Sequence, residues 1–139
     1  MPSKIGYGIQ QMLAEANAAV RTLKVAEAQD LLGRDDVLFV DLRDPRELDR
    51  EGRITGAFHC PRGMLEFWID PASPYAKPQF QEDKTFVFFC AGGLRSALAA
   101  HLAQRMGLGP VAHIEGGFGA WKKAGAPHEP PREPAAKKF

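Results

Sequence analysis

Cys90 is the residue best placed to do chemistry, because it heads the segment Cys90-Ala91-Gly92-Gly93-Leu94-Arg95-Ser96. Before it stands Thr85-Phe86-Val87-Phe88-Phe89, an aromatic and β-branched run that predicts the strongest strand of the chain. Ser96 to Met106 is rich in Ala and Leu and predicts a helix, stopped by Gly107 and Gly109. A nucleophile thus stands at the entrance of a strand–loop–helix unit. Two adjacent glycines let backbone N–H groups turn inward and form an anion-binding concavity. The helix N-terminus adds roughly half a positive charge at the same place, and Arg95 adds a full one. All three favour thiolate over thiol; a free cysteine titrates near roughly 8.5, and such surroundings can lower that by several units. The thiolate is the nucleophile, and the same N–H cradle can hold a bound anion or a persulfide. The plainer alternative, an inert cysteine at a strand end, needs neither the glycine pair nor the arginine.

Other reactive residue types are placed less pointedly. Asp41 and Arg43 close the apolar run Val37-Leu38-Phe39-Val40, which predicts the strand beside that of Cys90. They are expected to support the loop through an ion pair or hydrogen bonds rather than to act directly, with Asp41 also suited to capping the next turn. Glu47 is expected to pair with a nearby arginine. Cys60 ends a different strand and is read as a structural thiol, since a disulfide to Cys90 needs Cα atoms within about 7 Å. His59, His101, His113 and His128 show no ligand spacing with the cysteines, so no metal site is expected and none is marked as a general base. Met64, Phe67 and Trp68 precede a Pro-rich excursion, and residues 64–80 are the expected seat of substrate selectivity. Trp121 reads as a packing anchor.

The elements that must position these residues alternate. Ile9, Met12, Leu13, Ala16 and Val20 recur at helical spacing and predict an amphipathic helix packed outside the domain, within residues 1–19. Thr22-Leu23 is a short strand and Val25 to Leu32 a short helix, stopped by Gly33. Asp44-Pro45 opens the next helix, through Leu48. Residues 57–60 form a strand closed by Pro61, Met64 to Ile69 a helix, and residues 70–83 an irregular stretch with three prolines. Val111 to Ile114 is the last strand, succeeded by Gly116-Gly117 and a helix around Trp121. Strand–helix alternation of this kind implies an α/β fold, an approximately five-stranded, mostly parallel sheet with helices on both faces. Sites in such sheets lie at the carboxyl ends of the strands, where Asp41–Arg43, His59–Cys60 and Cys90–Arg95 converge. Residues 20–126 make one domain, and 127–139 a flexible, Pro-rich tail.

Bulk composition narrows the function classes. The chain has 139 residues, 45% hydrophobic and 25% charged, with a net charge of +1. That balance gives no nucleic-acid or membrane footprint, and no stretch reaches the length of a membrane span. Two cysteines do not build a disulfide framework. Residues 5–20 lack the apolar core of a signal peptide. A cytoplasmic protein with free thiols is the expectation. Oligomeric state is not legible.

Four segments together resemble the rhodanese-like sulfurtransferases. Cys90 to Ser96 resembles that family's Cys-x-x-Gly-x-Arg-Ser loop. Val40-Asp41-Leu42-Arg43 with Glu47 resembles its Val-Asp-x-Arg-x-x-x-Glu segment. Ile54-Thr55-Gly56-Ala57 resembles its Ile-x-Gly-Ala block, and Glu115-Gly116-Gly117-Phe118-Gly119-Ala120-Trp121 its closing Gly-Gly-x-x-x-Trp block. The likeness spans about residues 20–125 and implies a rhodanese-like fold. It also implies a reaction: Cys90 attacks a sulfane sulfur and holds it as a persulfide. The N–H groups of Ala91, Gly92, Gly93, Leu94 and Arg95 cradle that sulfur, with Ser96 closing the loop. The sulfur then passes to cyanide or a thiol. Cys90 and Arg95 are the implied catalytic pair; the donor is a small sulfur compound or a protein persulfide, and no cofactor is implied.

Two other functions compete. Cell-cycle dual-specificity phosphatases share the fold and a Cys…Arg loop, but theirs holds five intervening residues and this one four, a tighter ring that suits one sulfur better than a phosphate. Inactive rhodanese-like binding modules usually lack the cysteine. Two departures stand out: Arg53 replaces a common histidine, and Ala91 leaves the position after Cys90 uncharged. The second predicts that thiosulfate is a poor donor.

Overall fold

The computed structural model describes residues 1–132. Ten of its elements alternate as the sequence predicts: β1 (Arg21–Leu23), α2 (Val25–Leu31), β2 (Val37–Asp41), α3 (Pro45–Glu51), β3 (Phe58–His59), α4 (Leu65–Ile69), β4 (Thr85–Phe89), α5 (Leu94–Met106), β5 (Val111–Ile114) and α6 (Gly117–Lys123), with α1 (Ile9–Ala19) ahead of them. All strand pairs are parallel, in the order β1-β5-β4-β2-β3.

The sheet is buried on both faces, which explains why β2 and β4 read as continuous apolar runs. Along β4 the side chains alternate. Phe86 and Phe88 join Val40, Leu42, Ala99, Ala100 and Ala103 in one core, while Val87 and Phe89 join Phe39, Ile114, Phe118 and Trp121 in the other. Each fully buried aromatic of this size contributes roughly 1.5–3 kcal/mol. The alanines of α5 let that helix lie close to the sheet, bringing its first turn near the end of β4. Trp121, wholly buried, donates its indole N–H to Pro127 O at 2.8 Å, so it anchors both α6 and the chain beyond it.

Several boundaries differ from expectation. Helix α5 starts at Leu94, not Ser96, because Gly93 caps it in the left-handed region (φ 99°); Arg95 and Ser96 therefore sit in its first turn. Strand β3 shrinks to two residues because Ala57 N–H is engaged in a turn with Ile54 O and Pro61 ends the run. Only Ala16 of α1 is buried, and Ile9 is exposed, since this helix rests on the outside of the domain. The irregular 70–83 stretch contains a 3-10 turn at Pro78–Gln81, which buries Phe80 against Phe58 and Phe86.

The described part of the Pro-rich stretch from residue 127 hydrogen-bonds to the domain. Arg53 and Glu129 form a two-way backbone bridge (3.2 and 2.7 Å), Thr55 Oγ1 donates to Glu129, and Arg132 N–H reaches Asp49 O at 2.8 Å. Proline content predicts disorder, but the backbone groups of Arg53 and the Asp49 carbonyl supply partners that no local pattern reveals. The rest of that expectation, residues 133–139, lies outside the described residues.

Candidate functional site

Cys90 comes directly after the last residue of β4, at the carboxyl edge of the central strands, and is buried (1% exposed). The Gly93 N–H donates to its Sγ at 3.1 Å and the Ser96 N–H at 3.4 Å. Both donors come from the loop and the first turn of α5; of the N–H groups of residues 91–95 expected around the sulfur, that of Gly93 reaches Sγ, and that of Ser96 joins it. Donors aimed at one sulfur stabilise negative charge there without reorganisation. Gly93 is required by its backbone: besides its positive φ, a Cβ there would approach Gly116 N to 3.2 Å. Gly92 has open space around it, and Leu94 points to solvent (65% exposed).

Helix α6 holds the outer side of the loop. Phe118 N–H donates to Cys90 O at 2.8 Å and Gly119 N–H to Ala91 O at 3.0 Å. With these carbonyls engaged outward, the Gly93 and Ser96 N–H groups face the sulfur. This close approach explains Gly117, whereas a Cβ on Gly116 (φ 75°) would meet the Ala120 side chain. A Cβ on Gly117 (φ 60°) would collide with Cys90 O and come within 2.8 Å of the Ala91 backbone. In sequence the pair reads only as a turn before a helix; the fit of Gly117 against the Cys90 loop is decided by packing.

Arg95 does not stand alone. Its guanidinium makes a two-pronged ion pair with Glu47, Nη1 and Nη2 at 2.9 and 2.8 Å from the two carboxylate oxygens. These bonds hold the Glu47 carboxyl down at about 2. They also raise Arg95, with the neighbouring Cys90 sulfur adding to the effect. Glu47 further accepts from Asp44 N–H at 2.8 Å, closing the capping box of α3. The expected pairing of Glu47 with an arginine is therefore with Arg95, and it fixes the cation beside the site.

Asp41 and Arg43 are almost wholly buried and paired to each other: Arg43 Nη2 and Nε lie 2.7 and 2.9 Å from the Asp41 oxygens. Arg43 also donates to Gly52 O at 3.0 Å, and its guanidinium lies 4.3 Å over the Phe118 ring. Among the described residues neither hydrogen-bonds to the 90–96 loop; they meet it through Phe118, whose N–H holds Cys90 O. Asp41 additionally accepts from Arg43 N–H at 3.1 Å, so ion pair and turn cap coexist.

Cys60 is buried and separate. Its thiol bonds Pro61 O, and burial pushes it up to about 12, which suits an unreactive thiol. No hydrogen bond links residues 64–80 to residues 90–96 among the described residues; Leu65, Ile69 and Phe80 belong to the core.

One side chain that sequence reasoning passed over is brought to the site. His113 on β5 lies 3.1 Å from Ser96 Oγ through Nδ1, and Ser96 Oγ lies 3.6 Å from Cys90 Sγ. On its other side Nε2 meets Thr22 Oγ1 (3.1 Å) and Asn17 Oδ1 (3.2 Å). Burial pushes His113 below the usual histidine range. The β1–β5 register sets Thr22 opposite His113, and nothing local to residue 113 announces this.

Comparison with known proteins decides the family: the Rhodanese-like domain matches residues 24–124. The chain belongs to the rhodanese-like family. A sulfurtransferase of Allochromatium vinosum is 31% identical over 100 residues, covering 72% of this chain and 85% of that protein. An uncharacterized Synechocystis protein is 36% identical over 106 residues, 76% of this chain; the chain spans only about half (54%) of its length. Among solved structures, a Rhodopseudomonas palustris protein of unknown function, described as a possible tyrosine phosphatase, is 66% identical with a TM-score of 0.90. That match covers 93% of this chain and 99% of that one. The rhodanese-like fold expected from the four motifs is thus borne out. The two functional descriptions among these relatives, sulfurtransferase and phosphatase, are the two that the Cys…Arg loop already set in competition. No described helix is long and apolar enough to cross a membrane.

Proposed function

We propose that this rhodanese-like domain is a sulfurtransferase in which Cys90 carries the transferred sulfur as a persulfide. The observation that carries this reading is the tightness of the loop. With four residues between Cys90 and Arg95, N–H groups of Gly93 and Ser96 already lie at 3.1 and 3.4 Å from the single Sγ atom. A tetrahedral phosphate needs donors spread around three outer oxygens, a wider ring. One added sulfur needs only a few converging N–H groups, and the likeness to a sulfurtransferase agrees with this.

In the reaction, the Cys90 thiolate attacks the sulfane sulfur of a donor; the new S–S bond forms as the donor's own bond to that sulfur breaks, and the donor leaves with the bonding pair. A cyanide or thiol acceptor then takes the outer sulfur, and Cys90 leaves as thiolate. Gly93 and Ser96 N–H groups stabilise the anionic sulfur in both steps, with the Arg95–Glu47 pair setting the charge beside it. The donor is a small sulfane-sulfur compound or a protein persulfide.

The test is direct. Protein incubated with sulfane-sulfur donors is expected to gain one sulfur by intact-mass measurement, released by cyanide, and Cys90→Ser is expected to gain none. Turnover of p-nitrophenyl phosphate that depends on Cys90, with no sulfur uptake from any donor, overturns the proposal in favour of the phosphatase. Absence of both activities overturns it in favour of a binding module.

A further inference from the structure

We infer that His113 is a positioning residue for Cys90, drawing the thiol proton away through the Ser96 hydroxyl. The inference rests on the reading of Cys90 as the nucleophile, but not on what Cys90 attacks.

The hydrogen-bond directions are set by the partners. Asn17 Oδ1 can only accept, so the His113 Nε2 beside it (3.2 Å) carries the ring hydrogen. Nδ1 is then a bare lone pair, and the Ser96 hydroxyl, at 3.1 Å, is the donor that faces it. With its hydrogen committed to Nδ1, Ser96 Oγ is free to accept from the Cys90 thiol at 3.6 Å. The chain therefore runs one way: S–H to O–H to Nδ1, with Nε2–H tied to Asn17 and Thr22. It joins four elements (the β4 loop, α5, β5 and β1) to α1.

Ser96 is completely buried and His113 nearly so (3% exposed). Two polar side chains so placed, each with all its groups engaged, form a network rather than an accident of packing. Burial favours the neutral imidazole, the form able to accept. The transfer balances: Cys90 Sγ loses its proton to Ser96 Oγ while the Ser96 proton moves to Nδ1, giving thiolate, neutral serine and imidazolium with no net change of charge. The thiolate keeps the Gly93 and Ser96 N–H donors. The imidazolium keeps its Nε2–H bonds, and Glu115 favours its charge. A base held by a third group on its far nitrogen is a recurrent way of activating a nucleophile. His113, Asn17 and Thr22 also line a cleft of about 350 Å³ bounded by Gly92–Leu94, Glu115 and Gly116, which connects the far end of the chain to solvent. The charged groups facing the pair are Arg95, itself neutralised by Glu47, on the Cys90 side and Glu115 on the His113 side; Thr22 and Asn17 carry no charge.

The test is the pH dependence of Cys90 alkylation by iodoacetamide, tracked by mass, in wild type, Ser96→Ala, His113→Asn and the double variant. Asparagine keeps an acceptor for Ser96 but cannot take the proton. Each single variant is expected to slow alkylation about tenfold or more at pH 6–7, to move the inflection upward, and to converge on wild type at high pH; the double variant matches the singles. A His113→Asn profile that overlays wild type, or a loss equal at every pH, overturns the inference. If His113→Asn does not fold, the His113 imidazole is titrated by NMR in wild type before and after Cys90 alkylation. A midpoint that falls once the thiolate is removed supports the relay, and an unchanged one overturns it. Sulfur loading is read separately, so normal alkylation without loading indicts the sulfurtransferase reading and not the relay.

Discussion

Replacing Glu47 by Gln removes one charge while leaving most of the geometry, because Gln can still close the capping box with Asp44 N–H. What is lost is the charge-assisted pair with Arg95. The Glu47 carboxyl is held down from 4.5 to about 2, chiefly by the Arg95 hydrogen bonds. At about 1.4 kcal/mol per pH unit, that drop sets a ceiling of roughly 3.4 kcal/mol. Arg95 is 42% exposed, so water screens part of the interaction, and the expected cost at neutral pH is about 1–2 kcal/mol. The direction of the shift gives the sign of the pH dependence. A depressed carboxyl stabilises the fold at pH values above its ordinary range, and that contribution disappears as pH falls from 4.5 through 2. Urea unfolding of wild type and Glu47→Gln, measured from about pH 2.5 to 7, should show a full gap above about pH 5 that closes towards about pH 2. A gap of constant size across that range, or no gap at neutral pH, would refute the ion pair as the source of the effect.

Gly117→Ala places a methyl against the Cys90 and Ala91 carbonyls at positive φ; it should cost more than about 2 kcal/mol in thermal unfolding, whereas Gly92→Ala, with open space, should stay within about 0.5 kcal/mol. Arg43→Met strands the buried Asp41 carboxylate, and urea unfolding should show a loss of about 3–5 kcal/mol. Cys60, pushed up to about 12 by burial, should resist iodoacetamide at mildly alkaline pH while Cys90 reacts, and Cys60→Ala should keep full sulfur loading. Thiosulfate should be a poor donor because Ala91 adds no charge to the loop; Ala91→Arg should raise kcat/KM for thiosulfate severalfold, and an unchanged value would remove loop charge as the reason.

Local sequence determined much of this protein. Period and composition placed β2, β4 and β5 nearly to the residue, because a strand buried on both faces must be apolar throughout. The Gly93 N–H donor at Cys90 is legible because the glycine pair and the helix start lie within one short segment, and short-range geometry needs no distant partner. Pairings between distant segments were not legible. Glu47 finds Arg95 across 48 residues, Arg53 finds Glu129 despite the prolines around it, and Gly117 is a clamp only because α6 lands on the Cys90 carbonyl. His113 is the plainest case: its strand neighbours are hydrophobic and its spacing to Cys90 carries no pattern. Parallel pairing of β5 with both β1 and β4 is what sets its ring between Ser96 and Thr22. A sequence shows which groups can do chemistry where they are neighbours along the chain. Which groups act together across strands depends on register, and register is fixed by the burial of the whole sheet.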